Sequence, residues 1–177
     1  MDCAGVLALF FCEALLHLLF AEKMMTMRDH ASLAFLDLEV GDSFDLGYHV
    51  MDRGEIIEFA SKYDPQPFHL DDEAARRHPF FTGLSASGWH SMLILQRKIG
   101  EYWEGSQVRG LAGAGVDDLR WHVPVYPNDR LDFRMTIEEI RVSQSKPDRG
   151  IIKIRAIATR DGEMVTTFAI SGLFAVP

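Results

Sequence analysis

Through its last third the chain alternates apolar and polar side chains with a period of two. Leu131, Phe133, Met135 and Ile137 are separated by Asp132, Arg134, Thr136 and Glu138, and Ile152, Ile154, Ala156 and Ala158 repeat the pattern. This alternation predicts strands with one face buried and the other solvated. Asp161-Gly162 joins the second strand to a third, Met164 to Val176, because a two-residue hairpin loop needs positive φ and Asp-Gly tolerates it. Upstream, Leu119-Arg120-Trp121-His122-Val123 alternates until Pro124, which lacks the N–H a ladder needs, and Pro127-Asn128-Asp129 reads as a turn.

The first half has a different rhythm. Phe44 to Met51 has the β-branched and aromatic content of a strand. Ile56, Ile57, Phe59, Ala60 and Tyr63 recur at helical spacing, with Asp52 placed to cap that helix. Asp71-Asp72-Glu73 opens a second short helical stretch, Glu73 to His78, acidic at its start and basic at its end, as the helix dipole favours. Met92 to Leu95 are apolar on every side, so the helix from Ser91 to Gly100 is expected to be buried, capped by Ser85 or Ser87 and ended by Gly100. Together these elements predict an α+β fold, a central helix followed by an antiparallel meander, in a single domain over residues 27–177.

Residues 1–26 stand apart. Val6 to Phe11 and Ala14 to Ala21 are almost wholly apolar, yet the stretch begins Met1-Asp2-Cys3 and carries Glu13 and His17. A secretory signal would open with Lys or Arg, and a spanning helix needs about 20 predominantly apolar residues. Met24, Met25 and Met27 follow directly, and the expectation is that translation begins at one of them.

The net charge of −8 argues against nucleic acid, whose binding rests on clustered Lys and Arg. Arg76-Arg77 and Arg97-Lys98 are the candidates for gathering an anionic ligand, or are simply solvated. Both cysteines, Cys3 and Cys12, lie in the first twelve residues, so the remainder holds no disulfide, thiol nucleophile or cysteine-ligated zinc. No phosphate loop, dinucleotide fingerprint, nucleophile elbow or zinc-helix motif occurs. Neither a metal nor a cofactor is expected.

Candidate chemistry is concentrated in Tyr63-Asp64-Pro65-Gln66-Pro67-Phe68-His69, where a carboxylate and an imidazole lie five residues apart on a segment with two prolines. Proline fixes its own φ and biases the residue before it away from the helical region. The segment is therefore expected to be extended and to present Asp64 and His69 to a cavity in a reproducible geometry. The alternative is an ordinary loop with His69 exposed or satisfied in the core. Gly88, at the start of the apolar helix, offers amides without intrahelical partners and lets a substrate oxygen come close; alternatively it only permits close helix packing.

Phe59 to Asp71, then Ala86-Ser87-Gly88, then Val123-Pro124-Val125-Tyr126-Pro127-Asn128-Asp129 resemble, in residues and in order, the MaoC-like hydratases of the hotdog fold. The resemblance covers residues 36–177. Tyr63, Gln66 and Phe68 depart from that family's usual motif, and the bulk of Phe68 bears on the acyl pocket. The resemblance implies an antiparallel sheet wrapped around the central helix and reversible syn addition of water to a trans-2-enoyl thioester of coenzyme A or acyl carrier protein. Asp64 and His69 would then hold the water as acid/base pair, and the Gly88 N–H would bind the thioester oxygen. It also implies a homodimer, and the expected location is cytoplasmic. A hotdog thioesterase is the nearest rival, but such enzymes often carry an acid on the central helix and Trp89 to Ile99 has none. A non-catalytic thioester-binding subunit would be expected to lack Asp64 or His69. Tyr63 and Trp89, with Phe68, Phe80 and Phe81, are expected to shape a pocket for short or unusual acyl groups.

Overall fold

All the alternating segments become neighbours in one sheet. The structure, a computed structural model, describes residues 30–177. The apolar extension, both cysteines and the alternative starts Met24, Met25 and Met27 lie outside the described residues. Strands β1 (Ser43–Val50), β2 (Gly110–Trp121), β3 (Arg130–Val142), β4 (Arg149–Arg160) and β5 (Glu163–Ala175) are ordered β1-β3-β4-β5-β2. Every neighbouring pair is antiparallel. Helices α1 (Arg53–Tyr63), α2 (Pro67–Leu70), α3 (Asp72–Arg76) and α4 (Gly88–Glu104) all fall between β1 and β2. Across one face of the sheet lies α4, touching β1, β3, β4 and β5. This is the expected α+β hotdog arrangement, a sheet around a helix.

The period-two pattern places the core as predicted. Leu131, Phe133, Met135 and Ile137 on β3, and Ile152, Ile154, Ala156 and Ala158 on β4, are all buried against Leu95, Ile99 and Trp103 of α4. Burial of one such leucine or isoleucine is worth about 1.5–3 kcal/mol. The hairpin at Asp161-Gly162 has φ of 51° and 83°, with Arg160 opposite Glu163, a two-residue loop of the primed type. Asp52 caps α1 by accepting from the Glu55 amide at 3.0 Å.

Four local expectations are corrected. Asp64 to Gln66 is non-helical, but Pro67–Leu70 forms one helical turn; proline at the first helical position loses only an N–H that would have no partner there. Gly100 does not end α4, which runs on to Glu104 because Trp103 still faces the core. Nor is α4 buried all round: Met92, Leu95, Ile99 and Trp103 face inward, whereas Trp89 and Leu93 are half exposed. The fourth concerns β2, which begins at Gly110, well before Leu119, in a glycine-rich run with three register shifts against β5. That run has no alternation to read.

Gly88 stands where α4 meets the end of β2. A Cβ at this position would lie 2.5 Å from the Trp121 indole, so the close-packing reading of this glycine holds as a matter of geometry. Two residues on, His90 is 8% exposed, stacked on Phe59 with ring centroids 4.7 Å apart, and its Nδ1 is buried with no partner among the described residues. Burial pulls the His90 imidazole below its ordinary value, against a smaller opposing pull from Glu55.

Gly88→Ala is expected to destabilise the fold by about 1–3 kcal/mol through overpacking, and adding Trp121→Ala to recover part of the loss; equal melting temperatures for wild type and Gly88→Ala would contradict this. Since His90 takes up its proton less readily when folded, the unfolded chain binds more protons just below the ordinary imidazole value of about 6.5. Stability should therefore fall as pH drops through that region, and urea midpoints of His90→Phe should fall less steeply there than those of wild type.

Candidate active site

The turn after α1 brings Asp64 over the chain that leads into α4. Its carboxylate is half-buried and accepts the Ser87 hydroxyl at 2.7 Å on Oδ2. His69, on the single turn of α2, is 7% exposed and fixed by its other nitrogen: Nδ1 donates to the Ser85 carbonyl at 2.8 Å. With the proton on Nδ1, the neutral ring presents a lone pair at Nε2. Nε2 lies 3.5 Å from Asp64 Oδ2. With the ring in that form two acceptors face each other there, and a water donating one proton to each would satisfy both.

The residues from Leu84 to Gly88 form a strap under this pair. The Ser85 amide donates to the Phe68 carbonyl at 3.1 Å and the Ala86 amide to the Val125 carbonyl at 2.8 Å. Ser87 then caps α4, its hydroxyl oxygen accepting from the Trp89 amide at 3.2 Å while its proton goes to Asp64. One hydroxyl thus orients the carboxylate and starts the helix. The N–H of Gly88 is among the helix-start donors without an intrahelical partner.

Asp64, His69 and Gly88 line a single cavity of about 330 Å³. Phe68, Phe81, Trp89 and Trp121 supply aromatic walls, and Ser91, Thr166 and His122 supply polar atoms. Two predicted members of the pocket are elsewhere. Tyr63 is 72% exposed and borders a separate groove with Phe59 and His90, and Phe80 is 77% exposed and does not line the cavity. His122, read from the sequence only as a strand residue, does line it, with Nε2 2.9 Å from the Thr167 hydroxyl.

The other charged candidates have structural partners. Arg97 and Lys98 bind Glu101, Arg77 binds Glu73, and Arg76 lies 3.9 Å from Asp72. Asp71 caps α3. Asp72 joins Arg53 to the Leu84 amide, and these partners, Arg53 foremost, hold its carboxyl below the usual carboxylate range. Among the described residues no group of three or more His, Cys, Asp or Glu is gathered as for a metal ion, and no helix is long and apolar enough to cross a membrane.

Sequence reasoning read Ser85 and Ser87 only as helix caps and missed their bonds to the imidazole and the carboxylate. The small-residue run Ser85-Ala86-Ser87-Gly88 was the available signal, since only small side chains let the strap pass so close to α2. Thr166 and Trp121 carried no such signal, because nothing local says which strand faces the cavity.

Comparison with known proteins places the fold. Residues 38–158 match the family model described as the MaoC like domain. An uncharacterized protein of Bacillus subtilis, YdeM, is 30% identical over 120 residues, 67% of this chain and 81% of that one. The crystal structure of a MaoC-like dehydratase from Rhodospirillum rubrum is 36% identical, covering 82% of this chain and 99% of that one at a TM-score of 0.70. An (R)-hydratase of A. caviae involved in PHA biosynthesis shares the fold at 20% identity, covering 79% and 98% of the two chains at a TM-score of 0.60. The chain belongs to the MaoC-like dehydratase family.

Proposed function

We propose that this protein adds water reversibly to the double bond of an enoyl-CoA, giving a 3-hydroxyacyl-CoA, with acyl carrier protein as the alternative carrier. The observation that carries the proposal is the 3.5 Å separation of His69 Nε2 and Asp64 Oδ2 at a cavity that the start of α4 also lines. A water held between the two acceptors loses a proton to one of them as its oxygen attacks the β-carbon. The pair returns one proton to the α-carbon from the same side. Water is thus added whole, the pair ends as it began, and no redox partner is consumed. The Gly88 N–H, aided by the positive end of the α4 dipole, receives the thioester oxygen as it becomes enolate-like. His69 keeps its Nδ1 bond to Ser85 throughout, and Ser87 keeps Asp64 aimed at the water.

The working form in this proposal is a cytoplasmic homodimer. An edge strand, β2 has every residue exposed except the half-buried Leu119, and it shows Leu111, Val116 and Trp121 to solvent. Unpaired edges of that kind invite another strand, and a second copy of β2 would also bring apolar Trp89 and Leu93 towards cover.

Positioned acid/base groups contribute about 10²- to 10⁴-fold in rate. Asp64→Asn and His69→Ala are each expected to lower hydration of crotonyl-CoA by that factor, followed through the absorbance of the conjugated thioester. Release of free CoA by wild type, without loss of the double bond, would instead make it a thioesterase; binding without either reaction would make it a thioester-binding subunit. Val116→Lys is expected to break the dimer and activity together in paired sedimentation and rate measurements, and a fully active monomer would overturn the dimeric site.

A further inference from the structure

The cavity has a polar floor that the hydration chemistry leaves unused. Ser91, one turn into α4, and Thr166, on β5, are each 1% exposed, and both line the cavity. Ser91 Oγ donates to the Gly88 carbonyl at 3.0 Å and lies 3.2 Å from Thr166 Oγ1. A hydroxyl has one proton and two lone pairs. With the Ser91 proton on Gly88, the bond between the two hydroxyls requires Thr166 to donate to Ser91. Both protons are then committed, and the pair offers only acceptor lone pairs to whatever fills the floor. A plain alkyl chain would leave those lone pairs dry and unsatisfied, which is costly.

Charge narrows the choice further. The cavity lining contains the Asp64 carboxylate and no Lys or Arg. A second carboxylate on the ligand would meet acceptors and a like charge, with no Lys or Arg to offset either. A neutral group that donates a hydrogen bond suits the floor. The carrier arm of a thioester must leave towards solvent, so the part that reaches a floor 1% exposed belongs to the acyl group. Because Ser91 bonds to the carbonyl of Gly88, the same residue whose N–H faces the thioester oxygen, that part is close to the reacting carbons. Aromatic walls from Phe68, Phe81 and Trp121 keep the group short.

We propose that Ser91 and Thr166 form a specificity element that accepts a hydrogen bond from a hydroxyl on the acyl chain, so that short enoyl thioesters hydroxylated beyond the double bond are preferred over plain alkyl ones. The proposal rests on the hydratase reading above and names its substrate class. Thr166→Val removes the Thr166 acceptor and the proton that orients Ser91, at nearly constant shape, and Thr166→Ser retains both.

The test compares 4-hydroxycrotonyl-CoA with crotonyl-CoA in turnover, and the unreactive pair 4-hydroxybutanoyl-CoA and butanoyl-CoA in calorimetric binding, on the full chain. Wild type is expected to favour the hydroxylated member of each pair by about tenfold, the worth of one hydrogen bond of ordinary strength. That ratio should collapse towards one in Thr166→Val and persist in Thr166→Ser, with melting temperatures confirming that both variants fold. A wild-type binding ratio near one, or one that Thr166→Val leaves unchanged, overturns the proposal. Preferential binding with no hydration of either enoyl thioester supports the hydroxyl site and removes the hydratase reading instead.

Discussion

The strap from Leu84 to Gly88 is the constraint on which the rest of the site depends. It is hydrogen-bonded on both sides, to Phe68 through the Ser85 amide and to Val125 through the Ala86 amide. Held there, its own polar groups face the candidate pair: the Ser85 carbonyl accepts from His69, the Ser87 hydroxyl aims Asp64, and the Gly88 amide opens the helix. A buried imidazole and a half-buried carboxylate would otherwise choose their own rotamers. Reproducible placement of reacting groups is what converts proximity into rate.

A second layer keeps the strap from shifting. Asp72 accepts from the Leu84 amide and from Arg53, and so ties the start of the strap to α1 and α3 at once. Taken singly, an exposed ion pair such as Arg53–Asp72 stabilises little. Its value here is directional, because the same carboxylate fixes two helices and a backbone amide. Trp121 closes the other end by lying on Gly88, so the amide of that glycine is set by contact with β2 as well as by the Ser87 cap.

Much of this was legible in the chain, and the parts that were not share a cause. The half-buried strands declared themselves through period two, the Asp161-Gly162 turn through its dipeptide, and α1 through its Asp52 cap. Asp64, His69 and Gly88 were picked out by residue type and spacing, and the structure gathers them into one cavity. What stayed hidden is set by partners distant in sequence. The glycine-rich start of β2 has no alternation because both its faces are exposed in this chain, so no core imposes a pattern. The helical turn at Pro67 competed with a rule about prolines that is true of the residue before them and says little about the three after. Leu93 reads as core because it is apolar, yet it points away from the sheet; apolar content alone cannot separate a buried face from one awaiting cover.

The strand order has a consequence for how the site comes into being. Strands β3, β4 and β5 are joined by short turns, so their pairing closes small loops and can form early. By contrast, β1 pairs with β3 with Val50 opposite Arg130, a closure that encircles all four helices and the whole strap. Long closures carry the larger entropic cost and slow folding. Asp64, His69 and Gly88 all lie inside that long closure, so the segment carrying the candidate site is tied off at a larger entropic cost than the β3-β4-β5 meander.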